Sequence, residues 1–360
     1  MSPDLPGGPP VPHSRPELGE AERLAVLGAL GRSWVGAGGE EGRKLEAEVA
    51  AAFGRPSAVA VSSGSAALEV ALRVTGVDGA PVAVPAFACA CIERAVVRAG
   101  GRPYLVDADP CDLSFPPGTL TSLAGTCRAA IVVHQFGLPA ACAAEAATVP
   151  MTVIEDITTC AGGRIAGQAA GSFGRLTVMS FAATKLVCGG EGGVLAGSRA
   201  DMLAARQWTD PESDLPPDAP VPHAKLSDLA SALARVQFAR LDEFVSRRAE
   251  IARRYDETLG PGADQVLRAP SGWSGTWWRY LVRTKDADGA VARARECGVS
   301  VSLPVPARRW AGRGEFPVAD RLRRTLVSVP IFPALTESEI ASVRHVLTGL
   351  TEVRRLAGAR

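Results

Sequence analysis

Features that would announce a function directly are scarce in this sequence, and each absence removes a class. None of the eight cysteines (89, 91, 111, 127, 142, 160, 188 and 297) forms a CxxC pair, and HExxH does not occur. There are four histidines, none within ten residues of another, so a zinc centre has no ligand set to draw on. Scattered cysteines in largely apolar surroundings fit reduced thiols in a cytoplasmic protein. Net charge is nearly missing too. Thirty-nine basic against 38 acidic residues leave +1, which removes the electrostatic case for a general nucleic-acid or polybasic membrane binder. The longest charge-free run, Ala129 to Ala144, has 16 residues and holds His134, Gln135 and Pro139. A spanning helix needs about 20 apolar residues. The first 16 residues carry six prolines and two glycines, with no basic start and no apolar stretch. They read as a disordered tail, not as a signal or transit peptide. Gly36-Ala-Gly38-Gly-Glu-Glu41 lacks the last glycine of GxGxxG, and GxxxxGK[ST] is absent.

What remains is a chain of 360 residues, 47% apolar and 21% charged, enough for two domains around sizeable cores. From about Glu17 onward, short β-branched runs alternate with longer helix-period segments. Predicted strands are Ala58–Val61, Pro81–Val84, Pro103–Val106, Ala129–Val133, Thr152–Ile154, Thr177–Ser180 and Gly193–Ala196. Helical stretches such as Ser65–Val74, Cys91–Ala99 and Ala140–Ala147 lie between them. This alternation predicts an α/β fold whose mainly parallel, seven-stranded sheet is sandwiched by helices. After a Pro-rich acidic loop, Thr209–Pro222, one long amphipathic helix is expected from Ser227 to Leu259, with Gly260-Pro261 as its stop. Elements beyond it suggest a small α+β unit. The expected division is a tail at 1–16, a large domain at 17–245 and a small C-terminal domain at 246–360.

Lysine usage is the most informative statistic. Only four of the 39 basic residues are Lys (44, 185, 225 and 285). Where arginine is favoured for a plain positive charge, a retained lysine invites the question of what arginine could not do there: an amine can be desolvated, deprotonated and made nucleophilic, and a guanidinium in practice cannot. Lys185 is the only charged residue between Arg175 and Glu191, with apolar neighbours before it and a glycine loop after it. That setting suits a lowered pKa and Schiff-base chemistry; the competing reading is a surface lysine on a loop.

Ser62-Ser63-Gly64-Ser65-Ala66-Ala67-Leu68 follows a strand and opens a helix, so small residues let amides and hydroxyls approach a phosphate. The same residues also cap helices that hold no ligand. Glu155-Asp156 closes a strand at the carboxyl edge, where α/β ligands bind. A carboxylate, an amine and a phosphate cradle are together the three anchors of pyridoxal phosphate.

With those residues in view, the sequence resembles the DegT/StrS family of sugar aminotransferases, pyridoxal-phosphate enzymes of the aspartate-aminotransferase-like fold. The resemblance runs from about Leu18 to Leu259, with a looser tail. It rests on Trp34-Val-Gly-Ala-Gly-Gly39, the Ser62–Leu68 segment, Val84-Pro85, Val106-Asp107, Glu155-Asp156, Ser180-Phe181-x-x-x-Lys185 and Gly190-Glu191-Gly192-Gly193. It implies Lys185 as the Schiff-base lysine and proton carrier, Asp156 as the partner of the pyridine nitrogen, and Ser65, Ala66 and Ser180 as phosphate ligands. It also implies an amino-acid donor, a keto-sugar acceptor and a homodimer with shared active sites.

The chain departs from the family at three cofactor contacts. Cys89 stands where an aromatic residue stacks on the ring, with Phe87 two residues earlier. Thr159 replaces Gln or His, its hydroxyl within reach of the cofactor phenolate. His223-Ala224-Lys225 replaces Asn-Tyr-Arg, which makes His223 the expected ligand of the neighbouring subunit's phosphate. These changes keep two alternatives open: a lyase or dehydratase on the same cofactor, or a catalytically silent homologue supporting a partner. Outside the motif, His134 reads as a packed or hydrogen-bonded histidine. Trp273, Trp277 and Trp278 read as packing between domains or as a substrate entrance.

Overall fold

The computed structural model describes residues 10–260, 265–306, 308 and 312–355. In chain order its elements are α1 (Glu20–Gly31), α2 (Glu40–Ala52), β1 (Ser57–Val61), α3 (Gly64–Thr75), β2 (Pro81–Pro85), α4 (Ala90–Arg98), β3 (Arg102–Val106), α5 (Thr119–Leu123), β4 (Ala129–Val133), β5 (Thr152–Asp156), the two-residue strands β6 (Arg164–Ile165) and β7 (Gln168–Ala169), β8 (Leu176–Ser180), β9 (Gly193–Gly197), α6 (Arg199–Gln207), α7 (Asp228–Ala239), α8 (Leu241–Leu259), β10 (Tyr280–Arg283), α9 (Ala287–Glu296), α10 (Pro317–Thr325), β11 (Leu326–Val329) and α11 (Glu337–Arg355). Among the described residues no helix is long and apolar enough to cross a membrane.

Seven strands form one sheet in the order β1-β9-β8-β5-β4-β2-β3. Only β9 runs antiparallel to its neighbours; the other pairs are parallel. The seven expected strands are these seven, each within two residues at either end. They were readable because a strand covered on both faces is a continuous apolar run. Every residue of β4, β8 and β9 is buried. Alternation along the strands divides the core: Val178 and Leu195 pack with Leu68 and Leu72 of α3. Their neighbours Met179, Val194 and Ala196 turn to the opposite face, against Leu45 and Val49 of α2 and Ala234 of α7. After the sheet, β10 and β11 pair antiparallel, and Ile251, Tyr255, Ala290, Ile340 and Val343 pack on them.

Three expectations are corrected. The helix expected from Ser227 to Leu259 is two helices, because Arg240 leaves helical geometry (φ −94°, ψ 6°). Its guanidinium is held by Glu243, three residues on, and by Glu17 and Glu22, and the last two are remote enough that local periodicity carries no trace of them. The helix expected at Ala140–Ala147 is a tighter 3-10 segment, Ala141–Ala147. At its entry the Ala140 N–H donates to His134 Nδ1 (3.0 Å) and the Ala141 N–H to Asp112 Oδ2 (2.7 Å). Finally, the Pro-rich tail is ordered over residues 10–16; residues 1–9 lie outside the described residues. Val11 is buried and pairs with Val299, its N–H donating to the Gly298 carbonyl at 2.8 Å. Arg15 grips Glu339 through two nitrogens, each at 2.9 Å.

Candidate active site

The sheet's carboxyl edge opens into a cavity of about 460 Å³. Ser65, Cys89, Asp156, Thr159, Ser180 and Lys185, all singled out from sequence, line it together. Three local arrangements bring them there.

The first is the entry to α3. Ser63 is its N-cap, accepting the Ala66 N–H on Oγ at 3.1 Å, and the Ala67 N–H donates to the Ser63 carbonyl at 3.0 Å. The first-turn amides of Gly64 and Ser65 have no helical acceptor and remain for an anion, with the helix dipole assisting. The Ala66 amide is taken by the cap, so the turn offers its neighbours. Ser180, ending β8, stands against this turn: a Cβ placed on Gly64 would lie 2.5 Å from Ser180 Cβ. Glycine at 64 is thus what lets the second hydroxyl reach the cradle.

The second arrangement is the end of β5, where Glu155 and Asp156 point opposite ways. Glu155 is wholly buried and structural. Its carboxylate accepts from His134 Nε2 (3.0 Å) and from the N–H groups of Gly171 (2.9 Å), Phe173 (2.7 Å) and Gly174 (2.6 Å). Burial alone would raise its pKa; the His134 bond and these amides overcome that and hold it below the usual carboxylate range. Because His134 Nδ1 accepts from Ala140, its proton sits on Nε2 and donates to Glu155. His134 is therefore a hydrogen-bonded strut. Asp156 faces the cavity instead: Oδ1 accepts the Thr158 N–H at 2.9 Å, and Oδ2 has no protein hydrogen bond among the described residues. Thr159 donates its hydroxyl to the His134 carbonyl at 2.7 Å, so its oxygen is left as an acceptor and cannot donate to a phenolate while that bond stands.

The third is the loop after β8. It is folded back by the Phe181 N–H to the Gly192 carbonyl (2.8 Å) and the Ala183 N–H to the Gly190 carbonyl (3.1 Å), with both glycines at positive φ. Lys185 projects from it into the cavity. Burial lowers its pKa, opposed by Asp156 and the nearby sulfurs of Cys91 and Cys89 and reinforced by Arg279. Its Nζ lies 4.7 Å from the centroid of the Trp278 ring, a cation–π contact.

Trp278 and Phe136 are the residues that sequence reasoning underrated. Both line the cavity, stacked with centroids 6.0 Å apart. Phe136 adopts φ 55°, a left-handed conformation unusual for a bulky residue, and the following Gly137 abuts the Trp278 backbone so closely that a Cβ would come within 2.7 Å. The one available signal was position, since Phe136 follows β4 at the same sheet edge. Trp273 and Trp277 line a separate cavity of about 330 Å³. Phe87 is wholly buried and packs on Phe136, away from the cavity lining. His223 is exposed and absent from this chain's cavity; it precedes Ala224, whose carbonyl accepts from the Ser62 N–H (2.8 Å).

A desolvated lysine, an inward carboxylate and a helix N-terminus share one crevice of a mainly parallel α/β sheet, the equipment of an enzyme that works on carbonyls through an amine. The chain belongs to the DegT/DnrJ/EryC1/StrS aminotransferase family, whose profile matches residues 16–348. It is 29% identical over 330 residues to UDP-N-acetyl-3-dehydro-α-D-glucosamine 3-aminotransferase of Acidithiobacillus ferrooxidans, covering 86% of this chain and 88% of that one. Among solved structures it is similar to the aminotransferase TlmJ of Streptoalloteichus hindustanus (26% identity, TM-score 0.84, 95% of this chain and 99% of that one). It is also similar to DesI, solved in the presence of its TDP-sugar product (25% identity, TM-score 0.86, 98% and 96%).

Proposed function

We propose that this protein is a pyridoxal-phosphate-dependent aminotransferase that moves an amino group from an amino-acid donor to a nucleotide-linked keto sugar, or a related cyclic ketone, in a biosynthetic pathway. The observation that carries this reading is the meeting of Lys185 and Asp156 in one cavity with the α3 N-terminus. Its volume is within the roughly 300–1,000 Å³ usual for small-molecule sites. When bound, pyridoxal phosphate supplies an electrophilic aldehyde and an electron sink. The chain supplies the rest. Lys185 Nζ, its neutral form favoured by burial, acts as nucleophile and then as proton carrier. Asp156 Oδ2 keeps a proton on the pyridine nitrogen. The Gly64 and Ser65 amides with the Ser65 and Ser180 hydroxyls hold the phosphate, and Phe136 with Trp278 keeps water from the amine.

A homodimer with shared active sites belongs to the same proposal, and so does a cytoplasmic location. Supporting the dimer, Leu24, Leu27 and Leu30 on α1, with Trp34 and Val35 just beyond, are 44–56% exposed, an apolar face a soluble monomer seldom leaves open. His223 would then serve the partner's phosphate. The division into a large unit at 17–245 and a small one at 246–360 is likewise proposed.

Purified protein supplied with pyridoxal phosphate is expected to turn yellow and to yield a borohydride-trapped adduct on Lys185 that Lys185→Ala loses. Product formation should require an amino donor; turnover without one would favour the lyase or dehydratase reading. A protein that stays colourless and takes up no cofactor would leave only the silent homologue.

A further inference from the structure

Two neighbouring tryptophans on the segment leading into β10 go separate ways. Trp277 adopts φ 50°, a left-handed backbone that a bulky residue rarely accepts. Its ring stacks on Tyr280 with centroids 5.6 Å apart, whereas Trp278, one position on, is buried against Phe136 on the wall of the lysine's cavity. A strained backbone persists where its surroundings over-determine it. Here they do. The Thr276 N–H donates to the Gly137 carbonyl (2.9 Å), the Thr276 hydroxyl to the Thr159 carbonyl (2.8 Å) and the Arg279 N–H to the Phe136 carbonyl (3.1 Å). Arg248 Nη1 adds a bond to the Trp278 carbonyl at 3.3 Å. Residues 276–279 are thus fastened to the loops that leave β4 and β5.

So fixed, Trp278 meets the loop after β8 twice. Its indole N–H donates to the Thr184 carbonyl at 3.0 Å, and its ring face receives Lys185 Nζ at 4.7 Å. Among the described residues no carboxylate pairs with Nζ and no carbonyl accepts from it. Asp156 on β5, Cys89 and Cys91 at the start of α4, and Arg279 act on it through space. Arg15, Glu17 and Arg248 line a small cleft that Lys185 also borders. A lysine ammonium is a point charge on a flexible stem, and the electron-rich face of an enclosed indole gives it an anchor. Arg279 holds the same ring, its guanidinium carbon 4.0 Å from the centroid.

We propose that Trp278 is the positioning residue of Lys185: its ring holds the ammonium while the lysine carries a proton, and its indole N–H holds the loop from which the lysine projects. Neither contact touches the reacting atoms. Each limits where Nζ can wander between its work as nucleophile and its work as proton carrier. The use of that restraint in a reaction rests on the aminotransferase reading; the restraint itself rests on the two contacts. The strain at Trp277 belongs to the same device, because the left-handed turn separates the two indoles and leaves Trp278 facing the lysine.

The test separates the ring's charge distribution from its bulk. Tryptophans bearing one, two and three fluorines are placed at position 278 of the full-length protein by codon suppression; each fluorine withdraws density from the ring face and keeps the N–H and nearly the same volume. The protein is cleared of bound aldehyde with hydroxylamine, and Lys185 is trapped with formaldehyde and cyanoborohydride across pH, read by peptide mass. The midpoint should fall stepwise, by about half a unit to one unit from tryptophan to the trifluoro form, because only the ammonium loses its anchor. A wall that merely fills space would leave the midpoint unmoved, and that result would overturn the anchoring. Trp278→Phe keeps a ring and drops the N–H; hydrogen exchange over residues 182–189 should quicken about fivefold, with circular dichroism confirming the fold. Exchange at the wild-type rate would overturn the hold on the loop. Both effects in a protein that takes up no pyridoxal phosphate would support the positioning and refute the aminotransferase reading.

Discussion

Replacing Glu155 by glutamine changes one atom and should unsettle the end of β5. The carboxylate accepts four hydrogen bonds, two on each oxygen: His134 and Gly171 on Oε2, Phe173 and Gly174 on Oε1. An amide keeps one acceptor oxygen and brings an NH2 group against the other pair of donors, whichever way it is turned. His134 cannot resolve the conflict by moving its proton to Nδ1, because Nδ1 already faces the Ala140 N–H. A buried donor left without an acceptor costs about 1–3 kcal/mol, and removing one partner of a buried ionic pair, here Glu155 with Arg55 at 3.7 Å, about 3–5 kcal/mol. Glu155→Gln is accordingly expected to lose about 2–4 kcal/mol and Glu155→Ala about 3–5 kcal/mol in urea unfolding of the cofactor-free protein. Because folding lowers this carboxyl's pKa, its stabilisation is complete above the unfolded value of about 4.3 and is lost as pH falls through the folded value. The wild type should therefore show a steeper acid slope than the glutamine variant, which keeps only the share of other lowered carboxyls such as Glu22 and Asp201. A variant within about 0.5 kcal/mol of wild type, with the slope unchanged, would refute the account of Glu155 as a structural anion.

Three further outcomes are expected. Gly64→Ala puts a methyl 2.5 Å from Ser180 Cβ; overpacking of about 1–3 kcal/mol exceeds any helix-propensity gain, so pyridoxal-phosphate titration should show roughly tenfold weaker binding, and unchanged affinity would sink the cradle. Since burial depresses the Lys185 pKa, its neutral amine persists to lower pH; in cofactor-free protein, borohydride trapping of an aldehyde at Lys185 should have its pH midpoint below that of a lysine peptide. Val11→Asp places a charge in a buried strand pairing and should open residues 10–18 to proteinase K; digestion there no faster than in wild type would contradict the docking of this segment.

The sheet was legible because burial on both faces writes itself into consecutive residues, as in Ala129–Val133. Lys185 was legible for a related reason: a lone amine in a long apolar stretch is anomalous wherever it lands. Other features depend on distant partners. Nothing near Thr159 indicates that its hydroxyl is committed to the His134 carbonyl, 25 positions earlier. Trp278 looked like its neighbours Trp273 and Trp277, and only the clamp between Gly137 and residues 276–278 assigns it to the lysine's cavity and them to another. The break at Arg240 depends on Glu17 and Glu22, more than 200 residues away.

The pairing of Val11 with Val299 also bears on how the molecule is made. A ribosome adding about 5–20 residues per second needs roughly 15–60 s to travel from the first valine to the second. For that interval the emerging leader has no strand to join, while the sheet, built wholly from residues before 198, can already assemble. Its closure onto the late-made half would be among the last events of folding, and a nascent chain stalled before position 299 should still carry a leader open to protease.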